Sequence, residues 1–230
     1  MKSIAAVIIA RMNSTRFPGK VLEEIQGVPL LECILARLSR DGLGNFEPVL
    51  ATSTHTCDDY LVSIASKLKI KVFRGPSEDV MRRFIEAAEF SGAHYAARIN
   101  GDSPLLEPQL LKEAGDALKH MAPAFVTSKP NPNLPYGVAA EVARVAFLRD
   151  LHRVATTLER EHVTAAAYQD PHIESVVRIG SALPARPDLS LAVDTVDDLA
   201  RVNRLVERSG KSISEVAYWN LPIVHEKGNA

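Results

Sequence analysis

The chain has 230 residues, 46% hydrophobic and 24% charged, so it holds enough apolar material for a sizeable core and reads as a soluble globular protein. Its 27 Lys and Arg side chains nearly balance 28 Asp and Glu, a formal net charge of −1, which excludes capture of nucleic acid or an anionic membrane surface by a whole-molecule field. Any anion site must be local.

Residues 4–10 form an apolar run too short to span a bilayer, followed by Arg11 rather than a small-residue cleavage site, and are read as a strand rather than a signal peptide. Further strands are predicted at 48–52, 71–74, 95–100, 124–127, 174–179 and 189–193, and helices at 29–39, 58–68, 78–91, 108–121 and 196–209. Pro29 and Pro108 suit helix starts, and the last helix has Asp197 and Asp198 in its positive first turn and Gly210 as its stop. This alternation predicts an α/β fold, a three-layer doubly wound and mostly parallel sheet with helices on both faces. Three prolines and two asparagines make 128–136 a loop, so 1–230 is read as one domain with a small insert at about 129–170. Cys33 and Cys57 show neither CxxC spacing nor a histidine pair nearby, which argues against a disulfide framework or zinc and suits a reducing cytoplasm.

The densest chemical signal follows the first strand: Arg11-Met12-Asn13-Ser14-Thr15-Arg16-Phe17-Pro18-Gly19-Lys20. In an open α/β sheet this turn lies at the carboxyl edge, where ligands bind. It is neither a Walker A loop, since no Gly stands five residues before Gly19, nor a GxGxxG fingerprint. The forks of Arg11 and Arg16, the point charge of Lys20 and the hydroxyl of Ser14 suit a triphosphate whose leaving pyrophosphate must be neutralised. The competing account is a solvated basic turn cornered by Pro18-Gly19.

Asp102 follows the apolar run 95–99 in a turn set by Gly101 and Pro104, and Asp194 ends 189–193. Two strand-end carboxylates facing a triphosphate suit Mg²⁺, which takes one or two carboxylates with phosphate oxygens and water. Equally, Asp102 is a turn former, and either Asp194 or Thr195 is an N-cap for the last helix.

Residues 9–22, continued through 27–32, closely resemble the opening of the spore-coat polysaccharide cytidylyltransferases, relatives of the synthetases that make CMP-Kdo, CMP-sialic acid and CMP-pseudaminic acid. Ala51-Thr52-Ser53, then Arg74-Gly75 with Glu78-Asp79-Val80, then Arg98-Ile99-Asn100-Gly101-Asp102-Ser103-Pro104-Leu105 follow in that family's order. So do Glu159-Arg160-Glu161-His162-Val163-Thr164 and Val193-Asp194-Thr195 with Asp197-Asp198-Leu199.

The resemblance implies a cytoplasmic, Mg²⁺-dependent nucleotidyltransferase. It would move CMP from CTP to a sugar-like acid of nonulosonate or Kdo type, releasing pyrophosphate in surface polysaccharide or glycoconjugate synthesis. Asp102 and Asp194 would ligate the metal, with Arg11, Lys20 and Asp102 catalytic. Arg11, Ser14, Arg16, Lys20, Thr52, Ser53, Arg74, Asp79 and Asn100 would surround the nucleotide, and Tyr136, Glu141, Arg160, Glu161 and His162 the acceptor. A homodimer through the insert after Pro135 is implied too, with no nucleic-acid or membrane partner.

Some residues admit a plainer account. Asp79 is favoured early in a helix, with Arg74 as its ion-pair partner. The 159–162 tetrad could be a solvated helical face, although an acidic acceptor would need a cation such as Arg160 or His162. His152, His162 and His172 recur ten positions apart, off any common helical face, and are read as independent. The lone Trp219 is read as a packing anchor. In Pro135-Tyr136-Gly137-Val138-Ala139-Ala140-Glu141-Val142, Ala139 stands where the family usually has Asp, which implies a different acceptor or weakened activity. Three alternatives stay open: transfer to a sugar or alditol phosphate, glycosyl transfer on a similar fold, and a non-catalytic nucleotide-binding relative.

Overall fold

A computed structural model of the protein describes residues 3–40, 43–169 and 175–222. The chain runs β1 (Ile4–Ile9), the short pair β2 (Glu24–Ile25) and β3 (Val28–Pro29), α1 (Leu30–Leu38), β4 (Phe46–Ser53), α2 (Asp59–Lys67), β5 (Lys71–Gly75) and α3 (Val80–Phe90). It continues β6 (Tyr95–Asn100), α4 (Pro108–Met121), β7 (Phe125–Thr127), β8 (Glu141–Arg144), α5 (Val145–Val154), α6 (Thr157–His162), β9 (Val176–Arg178) and α7 (Val196–Ser209).

Seven strands form one sheet in the order β5-β4-β1-β6-β8-β7-β9, with β8 antiparallel to both neighbours and the other pairs parallel. β1 lies inside this sheet, and its alternate residues feed two cores. Ile4, Ala6 and Ile8 pack with α1, α4 and α7 on one face, while Ala5 and Val7 pack with α3 and α5 on the other. A strand covered on both faces must be apolar throughout, which is why β1 reads as a continuous hydrophobic run. The expected three-layer α/β architecture is what the chain adopts.

Helices α4 and α7 coincide with their predicted spans, and the other predicted helices differ by a residue or two at their ends. Residue 174 of the predicted strand 174–179 lies outside the described residues, and of the rest β9 forms only Val176–Arg178.

Two corrections bear on the site. The predicted strand 189–193 joins no ladder: Tyr136 N donates to Leu189 O at 3.3 Å and Leu191 N to Tyr136 O at 2.7 Å, but Val193 N turns to Asp102 O at 2.8 Å. Its partner changes within four residues, so regular pairing cannot continue. Gly137 permits the close approach, because a Cβ there would stand 2.5 Å from Ala192 N. Conversely, the stretch 129–170, with no strand expected in it, contributes β8 to the sheet between β6 and β7.

Candidate active site

The loop after β1 is shaped by a residue to which no sequence motif points. Asp58, fully buried, accepts from Met12 N at 2.7 Å, from Ser53 N at 3.0 Å and from Ser53 Oγ at 2.5 Å, tying the loop to the end of β4. Burial alone would push its carboxyl up, but the hydrogen bonds from Ser53 and the Met12 backbone outweigh that and hold it below the usual range. Gly19, at φ 76°, donates to Met12 O at 2.8 Å and turns the chain so that Lys20 points back to the sheet edge. Arg11 bends toward α3, its Nη1 3.3 Å from Ser77 Oγ and 4.0 Å from Glu78.

Across the edge, Gly101 N donates to Ile9 O at 3.0 Å, and a Cβ at that position would lie 2.9 Å from the same oxygen. Glycine therefore lets the end of β6 close on the end of β1, presenting Asp102 beside the basic loop. The Val193–Asp102 hydrogen bond brings Asp194 to the same place. Lys20 Nζ lies 2.9 Å from Asp102 Oδ2 and 2.9 Å from Asp194 Oδ1, and Arg16 Nη2 reaches Asp194 Oδ1 at 2.9 Å.

Asp194 is free for this because it is not the helix cap. Thr195 caps α7 in a reciprocal box: its hydroxyl accepts from Asp198 N at 3.2 Å, while Asp198 accepts from Thr195 N at 2.9 Å. Asp198 also accepts from Asp194 N at 3.0 Å and pairs with Arg201 at 2.6 Å.

Among the described residues there is no group of three or more His, Cys, Asp or Glu suited to a metal. The donor set is two carboxylates from separate segments converging on one ammonium. That set fits a hydrated Mg²⁺, which needs few protein ligands when phosphate oxygens and water complete its shell.

Two cavities meet at this point. One, about 470 Å³, is lined by Arg11, Ser14, Arg16, Lys20, Asn100, Glu161 and His162 among others. The other, about 640 Å³, is lined by Arg98, Lys129, Tyr136, Ala139, Glu141, His162 and Tyr168 among others. Arg16, Asn100, Asp102, His162 and Asp194 border both. Tyr136 is exposed at the larger cavity, whereas Glu141 is buried in its wall.

Glu141 accepts from Thr164 Oγ1 at 3.0 Å, Tyr168 OH at 2.6 Å and Arg98 Nη1 at 3.2 Å, with Lys129 Nζ at 3.5 Å. Burial pushes its carboxyl up, but Arg98 and Lys129, then the two hydroxyls, outweigh that and hold it below the ordinary carboxylate value. The Tyr168 hydroxyl is pushed up by burial and by the Glu141 charge.

Five expected site residues line neither cavity. Thr52 is buried at the end of β4, and the Ser53 hydroxyl is taken by Asp58. Arg74 pairs with Asp59 at 2.6 Å, rather than with Asp79, and donates to the carbonyls of Ser53 and His55 at 2.9 and 2.8 Å. Asp79 caps α3, accepting from Arg82 N at 2.9 Å, and meets His152 Nε2 at 2.7 Å. Arg160 donates to His152 O at 3.1 Å and lies 3.9 Å from Asp79. His152 and His162 thus stand apart as expected, and His172 lies outside the described residues. Trp219 is half-buried edge-on to Tyr218 with ring centres 5.0 Å apart, a packing contact.

Asp58, Lys129 and Tyr168 carried no usable sequence signal: an acid at a helix start, a lysine in a proline-rich loop and a tyrosine beyond a short helix are ordinary residues there. Arg98 stood within a motif quoted above without a role. Among the described residues no helix is long and apolar enough to cross a membrane.

A family model described as cytidylyltransferase matches residues 5–196. The chain is 30% identical over 222 residues to the spore coat polysaccharide biosynthesis protein SpsF of Bacillus subtilis (strain 168), covering 92% of this chain and 89% of that protein. It is 34% identical over 114 residues to the 3-deoxy-manno-octulosonate cytidylyltransferase of Geobacter sulfurreducens, covering 49% of this chain and 44% of that one. Its fold superposes on a cytidylyltransferase structure from Leptospira borgpetersenii with a TM-score of 0.85 and 23% identity, over 96% of this chain and 92% of that one. The two carboxylates, the cationic loop between them and these matches lead to one conclusion: the chain belongs to the cytidylyltransferase family.

Proposed function

We propose that this cytidylyltransferase moves CMP from CTP to a sugar-like acid and releases pyrophosphate, in the synthesis of a surface polysaccharide or glycoconjugate. The observation that carries the reading is that Asp102 and Asp194, which border both a small cation-rich cavity and a larger mixed one, each lie 2.9 Å from Lys20 Nζ in the smaller. A transfer between two ligands needs such a junction. The name of the 3-deoxy-manno-octulosonate cytidylyltransferase relative supports an acidic sugar as acceptor class.

In this reading, Arg11, Ser14, Arg16 and Lys20 hold the triphosphate, with Asn100 at its edge. An acceptor oxygen forms a bond to the α-phosphorus, the bond to the pyrophosphate oxygen breaks, and the hydroxyl proton leaves to water. The cations neutralise the pyrophosphate as it departs, and alignment of the two ligands carries most of the rate. Asp102 and Asp194 would hold Mg²⁺, which when bound supplies Lewis-acid neutralisation of phosphoryl oxygen. Tyr136, Glu161 and His162 face the acceptor. Thr52, Ser53, Arg74, Asp79 and Arg160 act from behind, by fixing the β4 end, the 53–59 turn and the α3 start.

The setting is the cytoplasm, and the assembly is a homodimer through 129–170. That stretch exposes Val154 and Leu158, apolar surface outside the two cavities that a partner copy would cover. The test is a pyrophosphate-release screen of four nucleoside triphosphates crossed with sugar acids, sugar phosphates and alditol phosphates. Release with CTP and a sugar acid supports the reading. Release only with a phosphorylated acceptor, or none while CTP binds, overturns it.

A further inference from the structure

The larger cavity ends on a charge cluster that the transfer chemistry leaves without a task. Glu141 is 4% exposed and its two oxygens are saturated: Oε1 accepts from Thr164 at 3.0 Å and Tyr168 at 2.6 Å, while Oε2 faces Arg98 Nη1 at 3.2 Å and Lys129 Nζ at 3.5 Å. A carboxylate offers about four lone-pair sites; here three hydrogen bonds and the facing Lys129 ammonium engage it, and its burial turns it to these neighbours rather than to a ligand. In place of the direct acceptor contact that the family resemblance implies for Glu141, the geometry shows a residue that supports its neighbours.

The two cations are not used up. Arg98 spends Nη1 on Glu141 and on Thr164 Oγ1 at 3.0 Å, while its Nη2 has no protein partner among the described residues and its Nε is buried without one. Among the described residues Lys129 makes one ion pair, and its side chain is 44% exposed. Around Glu141 two cations face one carboxylate, a local excess of one positive charge. Of the other acids lining this cavity, Asp102 and Asp194 are answered by Lys20 and Arg16, and Glu107 accepts from Gln109 N at 3.1 Å, its carboxyl pushed up by burial against the charge of Arg37; Ala139 adds no acid. Arg98 also stands two residues before Asn100 on β6, hence on the same sheet face as a residue bordering both cavities.

We propose that Arg98 and Lys129 form the receptor for a carboxylate of the acceptor, and that Glu141, with Thr164 and Tyr168, is the positioning residue that holds those cations side by side. This rests on the acceptor reading above and adds which residues take the acid group. A guanidinium fork beside an ammonium offers directed, charge-assisted donors to two carboxylate oxygens at once.

The test is independent of turnover. Pyruvate serves as a minimal keto-acid probe, titrated into the full chain without CTP and followed by ligand-observed NMR, with methyl pyruvate as the neutral match and inorganic phosphate as competitor. Wild type binds pyruvate and discriminates against the ester. Lys129→Met, a change at an accessible side chain, weakens pyruvate by about tenfold, the worth of one charged hydrogen bond. Glu141→Gln weakens it as well, although removing a neighbouring negative charge would by itself strengthen anion binding. Circular dichroism at the titration temperature and CTP affinity report that each variant is folded.

No pyruvate binding to wild type, equal binding of the ester, or displacement by phosphate at far lower concentration overturns the receptor. Unchanged or tighter pyruvate binding in folded Glu141→Gln overturns the positioning role. If the transfer screen fails while pyruvate still selects wild type over Lys129→Met, the receptor stands and the reaction assignment falls.

Discussion

The main-chain oxygen of Asp102 accepts a hydrogen bond from Val193 N at 2.8 Å, and this contact turns two chain segments into one site. Asp194 follows Val193, so its carboxylate comes to rest beside that of Asp102. Two unscreened carboxylates at such range would repel, and Lys20 answers both. In the proposed reaction, a phosphate that drew Lys20 away would leave this pair facing the metal that Asp102 and Asp194 would hold.

Lys20→Ala and Asp102→Ala each reduce turnover by orders of magnitude while circular dichroism and thermal midpoint stay near wild type, because Lys20 would neutralise phosphate charge and Asp102 would hold the metal, and neither packs the core. Pyrophosphate release at saturating CTP checks this. Near-normal turnover in either variant contradicts the assignment.

Thr195 and Asp194 separate capping from chemistry. Thr195→Ala loses the α7 cap and about 1 kcal/mol of stability, with turnover changed less than about tenfold. Asp194→Asn does the reverse, losing turnover by at least about a hundredfold at little cost in stability. Urea denaturation paired with the pyrophosphate assay reads both, and a large stability loss in Asp194→Asn would show that its role is structural.

Asp58→Asn tests the support of the basic loop. Asparagine must place an amide where the carboxylate accepts from Met12 N and Ser53, so the variant loses about 2–4 kcal/mol of stability and its apparent KM for CTP rises more than that for the acceptor. An acceptor-selective KM increase would contradict this placement.

Glu141 makes stability depend on pH. Its folded-state value lies below the ordinary carboxylate range, so its contribution is present above that range and is lost as pH falls through the folded value. Wild type should exceed Glu141→Gln by about 3–5 kcal/mol at neutral pH, as for breaking a buried pair, and the gap should narrow below about pH 4. Urea melts across that range check the sign, and a gap that widens on acidification contradicts it.

Much of this was legible in the chain because it is local. The basic loop after an apolar strand, the strand-end acids Asp102 and Asp194, and the capped helices at 108–121 and 196–209 all carry their signals within a few residues. What stayed hidden depends on distant partners. β8 is four residues long and takes its place from neighbours β6 and β7, and 189–193 has a strand's composition but loses its partner at Val193. The resemblance implies ligand contacts for Arg74 and Ser53, yet their groups are taken by Asp59, Asp58 and carbonyls of the 53–55 turn, a fact of tertiary geometry that no spacing announces.

The most direct measurement is anomalous diffraction from crystals of the protein grown with CTP and Mn²⁺. The account predicts a Mn²⁺ peak ligated by both Asp102 and Asp194, with the triphosphate against Lys20 and Arg16. A metal peak on other residues, or a triphosphate bound away from Lys20, would contradict it.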